Sequence, residues 1–227
     1  MKNATTWSVE VGSFAWRMDH PGSDHDLFNC YITPTVDILA GRCAPGGCHV
    51  GHDDTSNTDV QSHEMQRWVD GALTGNLNYV VGLVSPIVYT DPYGLLRELR
   101  EILLAHPSRA IVPSTIGMAK SSLEKIRRHR VSGDTRRAWK NVTTALRSLR
   151  FARRLLETGE PWLEPISVFD CAEDLDLGVD RVNRELDDLV AMNGQLSESL
   201  PARPADAAFR EYLLNVRLQE LQGWFAP

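Results

Sequence analysis

Two aspartates one residue apart, Asp24 and Asp26, lead into the apolar run Leu27-Phe28-Asn29-Cys30-Tyr31-Ile32, and Gly12-Ser13 stands upstream of them. If the pair lies at a strand edge, the period of two puts both carboxylates on one face, with their Cα atoms about 7 Å apart. Acids so placed can clamp a hard divalent cation, which prefers carboxylate oxygens and keeps positions open for phosphate. A glycine at a strand-to-helix turn lets backbone N–H groups approach phosphate closely, and the Ser13 hydroxyl and a helix N-terminus would add donors. The chemistry is a triphosphate held between amides and metal. Each half alone has a blander reading, because Gly-Ser is a common dipeptide and Asp-x-Asp commonly ends a polar strand.

The elements that must position these residues can be read from the pattern. Trp7 to Val11 alternates apolar and polar side chains before the Gly12-Ser13 turn, and Asp26 to Ile32 is a second strand, bounded by Pro21-Gly22-Ser23 and Pro34. Gly41 to Thr58 is loop chemistry, rich in Gly, Asp, Ser and Asn. Asp59 to Ser62 reads as a short strand, and from Ser62 to Leu73 the apolar residues Met65, Trp68, Val69, Ala72 and Leu73 fall at helical spacing, with Gly75-Asn76 as the stop. A short helix or turn from Asn78 to Val84 and an extended Pro86 to Tyr89 follow. Helices are expected over Tyr93–Ala105, Thr115–Arg130, Asp134–Glu157, Asp180–Met192 and Asp206–Gln222. Strands first and helices afterwards predict an α+β fold: a small mixed sheet over residues 1–110 and a helical region over residues 111–227.

At 227 residues and 42% hydrophobic content the chain can bury one good core. No apolar run approaches the ~18 residues of a membrane span, and the N-terminus lacks the apolar core of a signal peptide, so a soluble, cytoplasmic protein without membrane partners is expected. Cys30, Cys43, Cys48 and Cys171 are too few and too unevenly placed for a disulfide framework. The net charge of -6 hides a segregation: between Lys120 and Arg154 stand twelve Lys or Arg against Glu124 and Asp134, so this stretch carries +10 and the rest of the chain -16. It reads either as a solvated helical surface or as an anion-binding face.

Gly12-Ser13, a spacer holding Pro21, then Ser23-Asp24-His25-Asp26 and an apolar strand together resemble the signature of the polymerase-β nucleotidyltransferase superfamily. The resemblance extends to a predicted bacterial and phage branch that includes RNA-repair-associated enzymes. It is carried by Asp59-Val-Gln-Ser-His-Glu-Met-Gln-Arg-Trp68, Thr74-Gly-Asn-Leu-Asn78 and Trp139-Lys-Asn-Val-Thr-Thr-Ala-Leu-Arg147, and runs from Trp7 to about Leu156. Two positions depart from the branch. Arg17 stands at the usual second glycine of the loop, where it would either bind the triphosphate tail or crowd it, and Leu77 replaces a turn proline.

The superfamily uses a third carboxylate, which completes one metal site and helps deprotonate the attacking hydroxyl. Asp59 is the choice here, with Asp53 and Asp54 as rivals, unless Asp59 simply precedes or caps a helix. On the helix from Asp134 to Glu157, Lys140, Arg147, Arg150 and Arg154 share a face opposite Val142, Ala145, Leu146, Leu149 and Leu156. In the resembling family the Lys140 and Arg147 positions face the nucleotide, and by residue type they suit phosphate as a point charge and a bidentate fork. Lys120 and Lys125 would extend that ridge. Cys43, Cys48, His49 and His52 are of types that suit zinc, but their spacing is unusual and no second Cys-x-x-Cys half exists, so zinc is not expected. Trp68, Trp139, Trp162 and Trp224 are read as packing residues.

The resemblance implies a nucleoside-triphosphate-dependent transferase using magnesium, or manganese in its place, held by Asp24, Asp26 and Asp59. Gly12, Ser13, Arg17, Lys120, Lys140 and Arg147 would contact the nucleotide. The +10 segment favours an RNA end, tRNA included, as the acceptor, and pyrophosphate would be released. Two rival readings are a non-catalytic, antitoxin-like regulatory module that binds nucleotide or RNA on the same fold, and a zinc-dependent nucleic-acid adaptor.

Overall fold

The alternating apolar and polar residues of Thr5–Val11 build β1, which is buried on both faces from Thr6 to Glu10, with Trp7 and Val9 on one side and Thr6, Ser8 and Glu10 on the other. The computed structural model describes residues 5–161, 163–165 and 174–225, so Trp162 and Cys171 lie outside the described residues. After the short helix α1 (Gly12–Ala15), β2 (His25–Tyr31) returns antiparallel to β1, with Val11 opposite Asp26. Beyond α2 (Thr35–Leu39) come β3 (Cys48–Asp53) and β4 (Thr58–Glu64). β4 runs parallel to β2 with Asp59 opposite Asp26, and β3 pairs antiparallel to β4 with His52 opposite Asp59. With β5 (Val88–Thr90) on the other side of β1, the order is β3-β4-β2-β1-β5. This is a mixed five-stranded sheet followed by helices, the α+β class that the pattern predicts.

One strand departs from the pattern. The stretch expected to be loop contains β3, whose six residues are all exposed. An edge strand with no buried face has no hydrophobic alternation to read, and only its backbone pairing with β4 defines it.

The helices α3 (Met65–Leu73), α4 (Leu77–Leu83) and α5 (Leu95–Ala105) follow the sheet. Trp68 is the centre of the packing: its ring meets Trp7 edge-on at 5.3 Å and lies 4.3 Å from Phe28, and its Nε1–H donates to the Asn29 carbonyl. The same core takes in Leu95, Leu96 and Leu99 of α5 and Phe209, Tyr212 and Val216 of the last helix, α9 (Asp206–Leu221). Contacts divide the chain into two units, Met1–Thr74 with Asn78–His106 and Pro204–Pro227, and Gly75–Leu77 with Pro107–Arg203. The last helix thus belongs with the sheet.

Glu64 explains how α9 is held there. Its fully buried carboxylate accepts from the backbone N–H groups of Gln66, Gly46 and Thr33, and Arg217 of α9 closes on it at 2.6 Å while also donating to the Thr33 carbonyl. A buried charge stripped of water needs this many donors.

In the helical unit α6 (Ile111–Val131), α7 (Thr135–Thr158) and α8 (Leu175–Gln195) pack on one another, and a 3-10 turn, Leu196–Glu198, follows. Asp134 caps α7 by accepting from the Arg137 N–H, and Gly159 ends it in a left-handed conformation. Val142, Ala145, Leu146, Leu149 and Leu156 are buried, as their spacing predicts. The cationic segment is partly spent on ion pairs: Glu185 of α8 takes Arg150 of α7 at 2.9 Å, Glu164 takes Arg154 of α7, and Asp176 of α8 takes Arg130 of α6. No helix among the described residues is long and apolar enough to cross a membrane.

Two stability predictions follow from the sheet unit. Arg217→Ala leaves the buried Glu64 without its cation and should cost about 3–5 kcal/mol in urea unfolding; a loss below about 1 kcal/mol would show that the pair does not hold α9. His63 is buried, and Arg67 donates to the Tyr79 hydroxyl, which in turn donates to His63 Nδ1. Burial, with Arg67 nearby, lowers the His63 pKa from 6.5 to about 4. The unfolded chain therefore takes up a proton that the folded chain resists. Stability is full above pH 6.5 and declines as pH falls toward about 4. Unfolding midpoints of His63→Gln across this window should lack that part of the slope; an unchanged slope would assign it to other groups.

Candidate functional site

The register that pairs β2 with β4 brings Asp26 and Asp59 side by side, and Asp24, just before β2, joins them from the same face. All three are half-buried, and each offers an oxygen within 4.8 Å of the others. Among the described residues this is the group of three or more metal-ligating side chains that converges.

The turn after β1 is built against this cluster. Gly12 has φ +62°, and a Cβ placed on it would stand 1.7 Å from Asp26 Oδ2, so only glycine lets the carboxylate occupy its position. Ser13 follows with its Oγ buried and without a hydrogen-bond partner among the described residues. An orphaned buried hydroxyl beside an acidic cluster fits a site that expects a polar ligand. The turn closes as the Met18 N–H donates to the Ser13 carbonyl and the Arg17 N–H to the Phe14 carbonyl. Arg17 is exposed and takes φ +54°. A non-glycine residue pays roughly 1–2 kcal/mol for the left-handed region, which accounts for glycine as the usual residue at that loop position.

Beneath Asp26 lies Glu10, fully buried. Its Oε1 accepts the Asp26 N–H at 2.8 Å, and its Oε2 accepts from the Tyr89 hydroxyl at 2.6 Å and meets His25 Nδ1 at 3.1 Å. Burial and the adjacent Glu10 push the Tyr89 phenol up to about 12, so it remains a donor. The His25 ring stacks on Phe14 of the turn at 4.1 Å. Through this chain of contacts one acid on β1 ties together the strand that carries the aspartates and the turn that carries Ser13.

Asp59 has its own partner. His52 Nδ1 lies 2.7 Å from Asp59 Oδ1, and Nε2 lies 3.2 Å from Asp54 Oδ1. The hydrogen bond to Asp59 holds the imidazole pKa above its ordinary value. Of the rival third carboxylates, Asp53 is used inside its own turn: it accepts from Thr55 N–H, Thr55 Oγ1 and Ser56 Oγ, which hold its pKa at about 2. Asp54 meets His52 instead of the aspartate pair.

The sequence matches the family described as RlaP, RNA repair pathway DNA polymerase beta family, over residues 3–222. The chain belongs to this family. No curated protein matches it. A solved nucleotidyltransferase-like protein from Exiguobacterium sibiricum 255-15 is similar over 93% of this chain and 73% of its own, at 15% identity and a TM-score of 0.30.

Of the residues singled out in this RNA repair family chain, Gly12, Ser13, Asp24, Asp26 and Asp59 lie in the sheet unit, as does Arg17. Lys120, Lys140 and Arg147 lie in the helical unit. Lys120 and Lys140 are exposed, with no carboxylate partner for their ammonium groups among the described residues, and Arg147 is half-buried. Along β3, Cys48 and His49 project to opposite faces, His49 against Tyr31, while His52 engages Asp59 and Asp54.

Glu10 is a contributor that the sequence reading does not single out, and His52, weighed there only as a zinc-type side chain, meets Asp59 instead. Glu10 occupies a polar position in an alternating strand, which signals solvent, and His52 stands in a stretch with no strand signal. Gly12→Ala tests the geometry: it should displace the Asp26 carboxylate, abolish Mn2+ binding followed by electron paramagnetic resonance, and cost roughly 1–2 kcal/mol of stability through its φ. Wild-type Mn2+ affinity in this variant would show that Asp26 is not held as described.

Proposed function

We propose that the chain transfers a nucleoside monophosphate from a nucleoside triphosphate to an acceptor hydroxyl, at an RNA end such as that of a tRNA, and releases pyrophosphate. The observation that carries this reading is the convergence of Asp24, Asp26 and Asp59 oxygens within 4.8 Å of one another beside the turn that buries the unpartnered Ser13 hydroxyl. Family membership supports it.

An all-carboxylate donor set fits a hard cation such as Mg2+, with Mn2+ as its substitute, and Asp24 and Asp26 would each serve two ions while Asp59 completes one site. When bound, the metal supplies positive charge to the triphosphate and to the departing pyrophosphate. Ser13 Oγ–H donates to a phosphate oxygen and so satisfies a buried hydroxyl that has no partner among the described residues. The open backbone at Gly12 lets the tail approach the turn, and Arg17 at its far end offers a guanidinium to the phosphates. Besides completing one metal site, Asp59 helps deprotonate the attacking hydroxyl. The new O–P bond forms at the α-phosphorus as the bond to the pyrophosphate oxygen breaks. Lys120, Lys140 and Arg147 are proposed as the helical unit's contacts to phosphate, of the nucleotide or of the RNA backbone.

Incubation with each α-labelled nucleoside triphosphate, Mg2+ and RNA should label the RNA. Asp24→Asn and Asp26→Asn should each lower the transfer rate more than about 100-fold, or ~2.7 kcal/mol of barrier, with unfolding midpoints unchanged. Full transfer by both variants would overturn the assignment.

A further inference from the structure

We infer that His52, on the edge strand β3, is a positioning residue that fixes which oxygen of Asp59 faces the metal ion; the inference rests on the metal-dependent transferase reading above. The register supplies the first support. His52 stands opposite Asp59 on β4, and Asp59 opposite Asp26 on β2, so imidazole and carboxylates form one row across the sheet. Hydrogen-bond geometry supplies the second. A carboxylate only accepts, so Nδ1 carries the proton and donates to Asp59 Oδ1 at 2.7 Å. The far nitrogen lies 3.2 Å from Asp54 Oδ1, a second acceptor that it meets as a donor when the ring is an imidazolium.

Exposure supplies the third. The His52 and Asp59 side chains are 45% and 47% exposed, so packing does little to restrict the Asp59 rotamer. Asp26 needs no such help, because Glu10 holds its backbone and the bare Gly12 backbone lies against its carboxylate. The two sides of the cluster are thus set by different devices: a wedge of backbone under Asp26, and a hydrogen bond from the open edge of the sheet onto Asp59. With Oδ1 occupied by His52, the other oxygen is the one left for a cation. Partners of this kind, which orient a ligand without touching the metal, typically change metal affinity or activity 10–100-fold when removed.

The test is Mn2+ titration of the full chain by electron paramagnetic resonance for wild type, His52→Ala and His52→Asn, with thermal midpoints taken in parallel. Asparagine places an amide N–H close to where Nδ1 stands. His52→Ala should bind Mn2+ about 10-fold or more weakly at an unchanged midpoint, and His52→Asn should recover most of the affinity. Wild-type affinity in His52→Ala overturns the inference and leaves the metal site intact. An asparagine variant as weak as the alanine variant overturns the hydrogen-bond assignment. Nitrogen hyperfine coupling from a directly coordinated imidazole in wild type would make His52 a ligand and overturn the positioning role. A wild-type chain that binds no Mn2+ overturns the metal reading itself, and the inference with it.

Discussion

Parallel pairing between β2 and β4 sets Asp26 opposite Asp59, and a slip of one residue would turn one of these carboxylates to the far face of the sheet. Every other feature of the cluster is referred to that register. The antiparallel β1 puts Val11 opposite Asp26, so the chain leaves the strand at Gly12 with its backbone against the carboxylate. The antiparallel β3 puts His52 opposite Asp59 from the other side. The register is itself fixed by the apolar half of the same strands. Phe28 and Cys30, two and four residues beyond Asp26, are buried with Trp7, Val9 and Trp68, and a slip would carry them out of the core.

Two buried glutamates hold the ends of this arrangement. Glu10 accepts the Asp26 N–H near the cluster, and Glu64 accepts three backbone N–H groups and Arg217 at the opposite end of β4. Neither gains anything from hydrophobic burial, and an unmade hydrogen bond to a buried acid costs several kcal/mol. Each is instead saturated by donors that come from different parts of the chain. Such a residue works as a geometric lock, since its partners must be present together for it to be tolerated at all. For Glu10 the locked parts are β2, β5 and, through His25 and Phe14, the turn that carries Ser13.

The sequence made legible those parts whose signal is local. Gly12-Ser13 and Asp24-x-Asp26 declare themselves because a tight turn and a two-residue period are short-range facts, and Asp59 was within reach because a strand leads straight into the helix that begins at Met65. β3 left no trace, because an exposed edge strand lacks the alternation that burial imposes. Glu10 shows the converse: it stands at a polar position of the alternating β1 pattern, and nothing local announces that Tyr89 and His25, distant in sequence, close over it. The anchoring of α9 was equally invisible, since Arg217 and Glu64 are separated by 153 positions. Pairings of that range have no periodicity, and only the fold reveals them.

The cationic segment shows how a correct count can mislead about chemistry. Arg150 and Arg154 share the expected face of α7 with Lys140 and Arg147, yet Glu185 and Glu164 neutralise them, and Asp176 does the same for Arg130. These pairs tie α8 and the segment after α7 to the cationic helices, and a cation already matched to carboxylate releases few counterions when a polyanion arrives. Lys120, Lys125, Arg127, Arg128, Arg136 and Lys140 differ: all are exposed and without a carboxylate partner among the described residues. They occupy the second half of α6 and the start of α7. If the acceptor is the RNA end proposed above, its backbone would meet the end of the helical hairpin near its turn, and the salt dependence of that encounter would be set by those unpaired charges and not by the whole +10.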